Sequence, residues 1–114
     1  MSQIITALEG YLADLKGASI RATMDPRSVN PPTVLLVPPT FDLTVNCGGD
    51  AEFRALVLAP PPANLDAWRV LDDLAAKVAD VIPIERIRPT QYGVDDTGAL
   101  PALELSWQLA LSWP

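Results

Sequence analysis

The most regular pattern of apolar and polar positions lies near the end of the chain. Leu103, Leu105, Trp107, Leu109, Leu111 and Trp113 alternate strictly with Ala102, Glu104, Ser106, Gln108, Ala110 and Ser112. A period of two puts the large apolar set on one face of a strand and the small or polar set on the other. The same alternation, Phe41, Leu43 and Val45 against Asp42, Thr44 and Asn46, predicts a strand over residues 41–46. Cys47-Gly48-Gly49-Asp50 then reads as a hairpin turn into a strand over 52–59, because glycine adopts the positive φ that such turns need. Pro60-Pro61-Pro62 ends the pairing, since proline has no N–H to give to a ladder.

The period then changes. Leu65, Trp68, Leu71, Leu74, Ala75, Val78 and Ile82 recur at three- and four-residue spacing and predict an amphipathic helix with that stripe toward the core. Asn64 is placed to cap it, Asp66 lies in its first turn where the helix dipole favours a carboxylate, and Pro83 stops it. Ile4, Ile5, Leu8, Tyr11, Leu12 and Leu15 predict an earlier helix, closed by Lys16 in the last turn and Gly17 as a C′ glycine.

Shorter segments fill the rest. A strand is expected over 18–24, with Ile20 and Ala22 opposite Arg21 and Thr23, and then a proline-stiffened loop over 25–32. Thr33-Val34-Leu35-Leu36-Val37 is a continuous apolar run of the kind covered on both faces, and Pro38-Pro39 leaves open whether 33–46 is one kinked strand or two. Residues 84–92 predict a strand that Pro89 assigns to an edge or a bulge, and 93–98 a turn. The expected architecture is a single α+β domain over residues 1–114: an antiparallel-rich mixed sheet of about four to six strands packed by two helices, in the order α-β-β-β-α-β-β.

Composition narrows the function classes. A chain of 114 residues with 49% hydrophobic residues can build one core without staples, and its apolar excess admits buried contacts between subunits. Fourteen acids against eight bases give a net charge of −6, which argues against gripping a nucleic-acid backbone. The single Cys47 excludes an internal disulfide. The start of the chain lacks a basic segment followed by an apolar core, and no apolar run approaches the roughly 20 residues of a membrane span. Folding in a cytoplasm is expected.

Chemistry-bearing patterns are few. With no histidine, Ser-His-Asp and Cys-His catalysis and His-ligated zinc are excluded. Asp96-Thr97-Gly98 spells the aspartic-protease tripeptide, but it reads as a turn with little chain behind it to build that fold. Gly48-Gly49 lacks the Lys-Ser/Thr of a phosphate loop, and Asp25, Asp42 and Asp50 are not spaced as a calcium loop. No catalytic, cofactor-binding or metal-binding residue is assigned. Candidate contacts with other subunits fall on the aperiodic loops and one strand face: Arg27, Val29 and Asn30; Arg86, Arg88 and Tyr92, which share a strand face; and Asp95 and Asp96.

The element order, together with Asn30-Pro31-Pro32, Val37-Pro38-Pro39 and Leu71-Asp72-Asp73-Leu74, resembles the tail terminator proteins of long-tailed bacteriophages, particularly those of actinobacteria. The likeness covers nearly the whole chain and rests on order, length and texture. It implies a non-enzymatic subunit of a homohexameric ring in the virion neck. Such a ring caps the tail tube, stops its polymerisation and joins the head-side connector, and DNA passes through it without specific binding. The partners implied are other copies of the chain, the tail tube protein and the connector or stopper; no cofactor is implied. A head–tail stopper or head-completion protein is the alternative, and a small carboxylate- or thiol-dependent enzyme a more distant one.

Overall fold

A computed structural model of the chain describes residues 2–42, 48–60, 65–93 and 99–111, in the order α1 (Ser2–Gly17), β1 (Ala22–Thr23), a 3-10 turn (Pro26–Ser28), β2 (Thr33–Phe41), β3 (Gly49–Leu58), α2 (Leu65–Val81), β4 (Arg86–Gly93) and β5 (Ala99–Leu111). The strands form one mixed sheet in the order β1-β2-β3-β5-β4, with β1 parallel to β2 and the other neighbours antiparallel. This is the α+β architecture and element order expected from the sequence.

β5 is an interior strand, and its alternation is satisfied by pairing on both sides. It pairs with β3 from Gly49↔Leu111 to Leu58↔Ala102 and with β4 from Arg86↔Ser106 to Gly93↔Ala99. Since β3 and β4 both run antiparallel to the strand between them, α2 must cross over that strand and run opposite to both. Its buried residues are Ala67, Leu71, Ala75 and Val78, and it lies over β3 and β5. α1 covers the other end of the same face, against β1 and β2, and touches α2. The main core is the layer between, where Leu15, Val34, Phe53, Leu71, Val78, Leu105 and Trp107 are sealed from solvent. Each such side chain contributes about 1.5–3 kcal/mol of burial. Tyr11 links α1 to the sheet, edge-on to Phe53 at 5.3 Å and to Trp107 at 5.1 Å.

Four expectations need correction, and one left open is resolved as far as Phe41. Leu65 and Trp68 do not lie in the core stripe of α2; they are 66% and 44% exposed, because the helix is turned so that Ala67 and Ala75 approach the sheet. Small side chains at those positions let the helix axis come close, which a central tryptophan would prevent. Of the stretch left open as one kinked strand or two, Thr33 to Phe41 is one strand, β2, carried through Pro38-Pro39 by a register shift between Val37 and Thr40. Leu43 to Cys47 lie outside the described residues. β3 begins at Gly49, so among the described residues of the expected turn only Gly48 carries a positive φ, at 77°. The strand expected over 18–24 shrinks to Ala22–Thr23, because the end of α1 claims the preceding backbone: Ala18, Ser19 and Ile20 donate their N–H groups to Asp14, Lys16 and Leu15 carbonyls. Finally, the left-handed residue closing α1 is Ser19 (φ 62°), not Gly17, which stays helical.

Candidate functional site

The helices occupy one face of the sheet, and the other face carries the candidate contact residues Arg86 and Arg88. Partners in an antiparallel ladder share a face, so the registers place Arg54 between Val37 and Ser106 with Arg86 beyond, and Leu56 between Leu35 and Glu104 with Arg88 beyond. Glu52 and Asp50 continue the same face along β3. This surface holds three acids (Asp50, Glu52, Glu104) and three arginines (Arg54, Arg86, Arg88), while the two helices hold six acids and three bases. The negative charge is therefore weighted to the helix layer.

Arg86 and Arg88 stand on the edge strand β4, two residues apart and both exposed. Arg88 Nη2 donates to Glu104 Oε1 at 2.8 Å across the β4–β5 pair. With the Arg88 side chain 63% exposed, the bridge orients the guanidinium more than it stabilises the fold. The backbone of Tyr92 continues β4 opposite Leu100. Asp95 and Asp96 lie outside the described residues.

The 25–32 loop folds onto the same face. Asp25 caps the 3-10 turn, accepting at Oδ1 from Arg27 N at 3.0 Å and from Arg27 Nε at 3.3 Å. Asn30 presents its carbonyl to Arg21 Nη1 at 3.2 Å. Val29 is half-buried against a second, small cluster of Leu35, Leu58 and Ala102. Ala102 is the register partner of Thr90, so the loop and β4 flank one surface, with Val29 as the loop's anchor rather than a free contact. The expectation of a β2 run covered on both faces is met here, since Leu35 is buried on this side and Val34 and Leu36 on the other.

Sequence reasoning missed Glu85. Its N–H donates to the Ser106 carbonyl at 2.8 Å and its carboxylate accepts from Gln108 N at 3.1 Å, so it pins the start of β4 and satisfies β5 where β4 no longer pairs with it. A shallow cleft of about 210 Å³ opens there, lined by Glu52, Glu85, Arg86, Ser106, Trp107 and Gln108. Arg54 was missed too; among the described residues its buried Nε has no hydrogen-bond partner. Both depend on cross-strand register, which no local pattern encodes.

Among the described residues no group of three or more His, Cys, Asp or Glu side chains could hold a metal ion. None of their helices is long and apolar enough to cross a membrane. The surface offers charge, hydrogen-bond donors and a bare strand edge, which is the chemistry of docking. No protein-family model, curated protein or solved structure matches the chain.

Proposed function

We propose that the chain is a non-catalytic structural subunit of a phage virion, a tail terminator that assembles into a ring on the tail tube, ends its polymerisation and joins the tail to the head-side connector. The observation that carries this reading is the inequality of the two sheet edges. One edge is the two-residue β1, with α1 packed against it; the other is the eight-residue β4, whose described side chains are all exposed. A subunit with two unlike lateral surfaces associates head to tail, and such contacts close into a ring when the rotation per subunit allows it. The charge distribution supports the same reading: an acidic chain with paired arginines does not hold DNA by counterion release, so DNA can pass through the ring without being gripped.

The test is loss of the gene in the phage together with the mass of the purified protein. Tails of uncontrolled length, or tails that fail to join filled heads, are the expected outcome. Ring-shaped particles of about six subunits should form alone or on isolated tail tubes. Normal-length, head-attached tails without the protein, or a chain that stays monomeric on tail tubes, overturn the proposal.

A further inference from the structure

The helix layer stops short of β4. α2 lies over β3 and β5, and every described β4 side chain is exposed, including Ile87 at 53%. By register Ile87 partners Leu105 and Pro89 partners Leu103, so both point to the helix side of the sheet, beside α2 and under no helix. The flank of α2 on that side follows from the helix geometry. Val70, Leu74 and Val81 are half-buried on one flank, toward the core shared with α1. A rotation of 100° per residue places Leu65, Trp68, Asp72, Ala76 and Ala79 together on the opposite flank, and all five are exposed. An apolar groove thus runs between α2 and β4, with Leu65, Trp68, Ala76 and Ala79 on one wall and Ile87 and Pro89 on its floor.

At the other edge of the same molecule, α1 has a matching flank. Tyr11 faces Phe53 and Trp107, toward the middle of the sheet. The side turned away carries Ile5, 54% exposed, with Glu9, half-buried Leu12 and Lys16. Four of the six exposed large apolar residues among those described are therefore Ile5 at one edge and Leu65, Trp68 and Ile87 at the other.

We infer that the groove between α2 and β4 receives α1 of a second copy of this chain, so that the helix layer continues from one subunit to the next. Within one subunit the connections make α1 and α2 antiparallel, and the same relation carried across the contact sets the pairing. Ile5 of the incoming helix seats on Ala76 and Ala79, whose small side chains leave room for it. Lys16 arrives at Trp68, its stem across the indole and its ammonium within a turn of Asp72. Of the incoming flank's two charges, Lys16 falls over Trp68 and Glu9 near Ala76, with Asp72 between them, so the contact is carried by its apolar side chains. The two surfaces are different and lie at opposite edges, so each copy gives one and receives one. The inference rests on the ring reading and specifies its interface.

The test is disulfide trapping in a Cys47→Ser background, with Ile5→Cys and Ala79→Cys introduced singly and together and oxidised by diamide. A head-to-tail contact joins residue 5 of one copy to residue 79 of the next. The double variant should give a ladder of covalent oligomers, and the single variants nothing above monomer. Trp68→Glu should abolish assembly while leaving the circular dichroism spectrum unchanged, because the side chain is already 44% exposed. Rings that form without the ladder, dimers from either single variant, or wild-type assembly by Trp68→Glu overturn this interface and leave the ring intact. A wild-type chain that is monomeric even on tail tubes overturns both.

Discussion

Tyr11 is the most informative single position for stability, because it ties α1 to the two longest strands. Its ring meets Phe53 at 5.3 Å and 68° and Trp107 at 5.1 Å and 83°, and those two rings stack across the β3–β5 pair at 6.0 Å and 15°. An edge-to-face pair contributes about 0.5–1.5 kcal/mol beyond area burial, so the two together contribute about 1–3 kcal/mol. The half-buried ring adds about 1 kcal/mol of transfer free energy, below the full-burial value because its other side meets solvent. Tyr11→Ala should therefore cost about 3 kcal/mol. A domain of this size has about 5–15 kcal/mol in total, and at about 1.5 kcal/mol per molar urea the midpoint should fall by about 2 M. Tyr11→Phe keeps both ring contacts and should stay within about 0.5 kcal/mol of wild type. A double-mutant cycle of Tyr11→Leu with Phe53→Leu in dilute solution should return a coupling of about 1 kcal/mol. A loss under about 1 kcal/mol for Tyr11→Ala, or additive losses in the cycle, would refute the reasoning.

Three further outcomes are expected. Among the described residues Trp107 Nε1 is buried without a hydrogen-bond partner, so Trp107→Phe removes an orphan donor worth about 1–3 kcal/mol while opening a small cavity; urea unfolding should show a net change of about 1 kcal/mol or less, against about 3–5 kcal/mol for Phe53→Ala. Ser19→Gly should raise the thermal midpoint, since a left-handed non-glycine costs about 1–2 kcal/mol, and Gly48→Ala should lower it by a similar amount at φ 77°. Arg88→Ala should cost about 1 kcal/mol or less, and the difference should shrink in molar salt, because the Arg88 end of the bridge is 63% exposed.

The sequence alone determined the elements whose periodicity is long and locally complete. The alternation from Ala102 to Leu111 specified β5, and the three- and four-residue spacing from Leu65 to Ile82 specified α2, because each pattern repeats over many turns or pleats and admits one backbone conformation. Pro89 pointed to an edge strand or a bulge by the same kind of local rule, since a central strand cannot spare its N–H, and β4 is the edge.

Phase and register were decided only by the tertiary structure. The apolar stripe of α2 is broad enough to be centred on Trp68 or on Leu71; contact with the sheet chose Leu71, flanked by Ala67 and Ala75, and left Trp68 on the outer flank. Pro38-Pro39 reads locally as a break, yet pairing with β3 on both sides of it carries β2 through to Phe41 with one register shift. The 18–21 segment has strand-like alternation, but the end of α1 holds the N–H groups of Ala18, Ser19 and Ile20. Of the candidate contacts, the shared face of Arg86 and Arg88 was legible from a spacing of two. The approach of Val29 to Ala102, the position of Arg54 opposite Ser106 and the clamp made by Glu85 were not. Each joins residues far apart in the chain, and only a completed sheet sets which of them become neighbours.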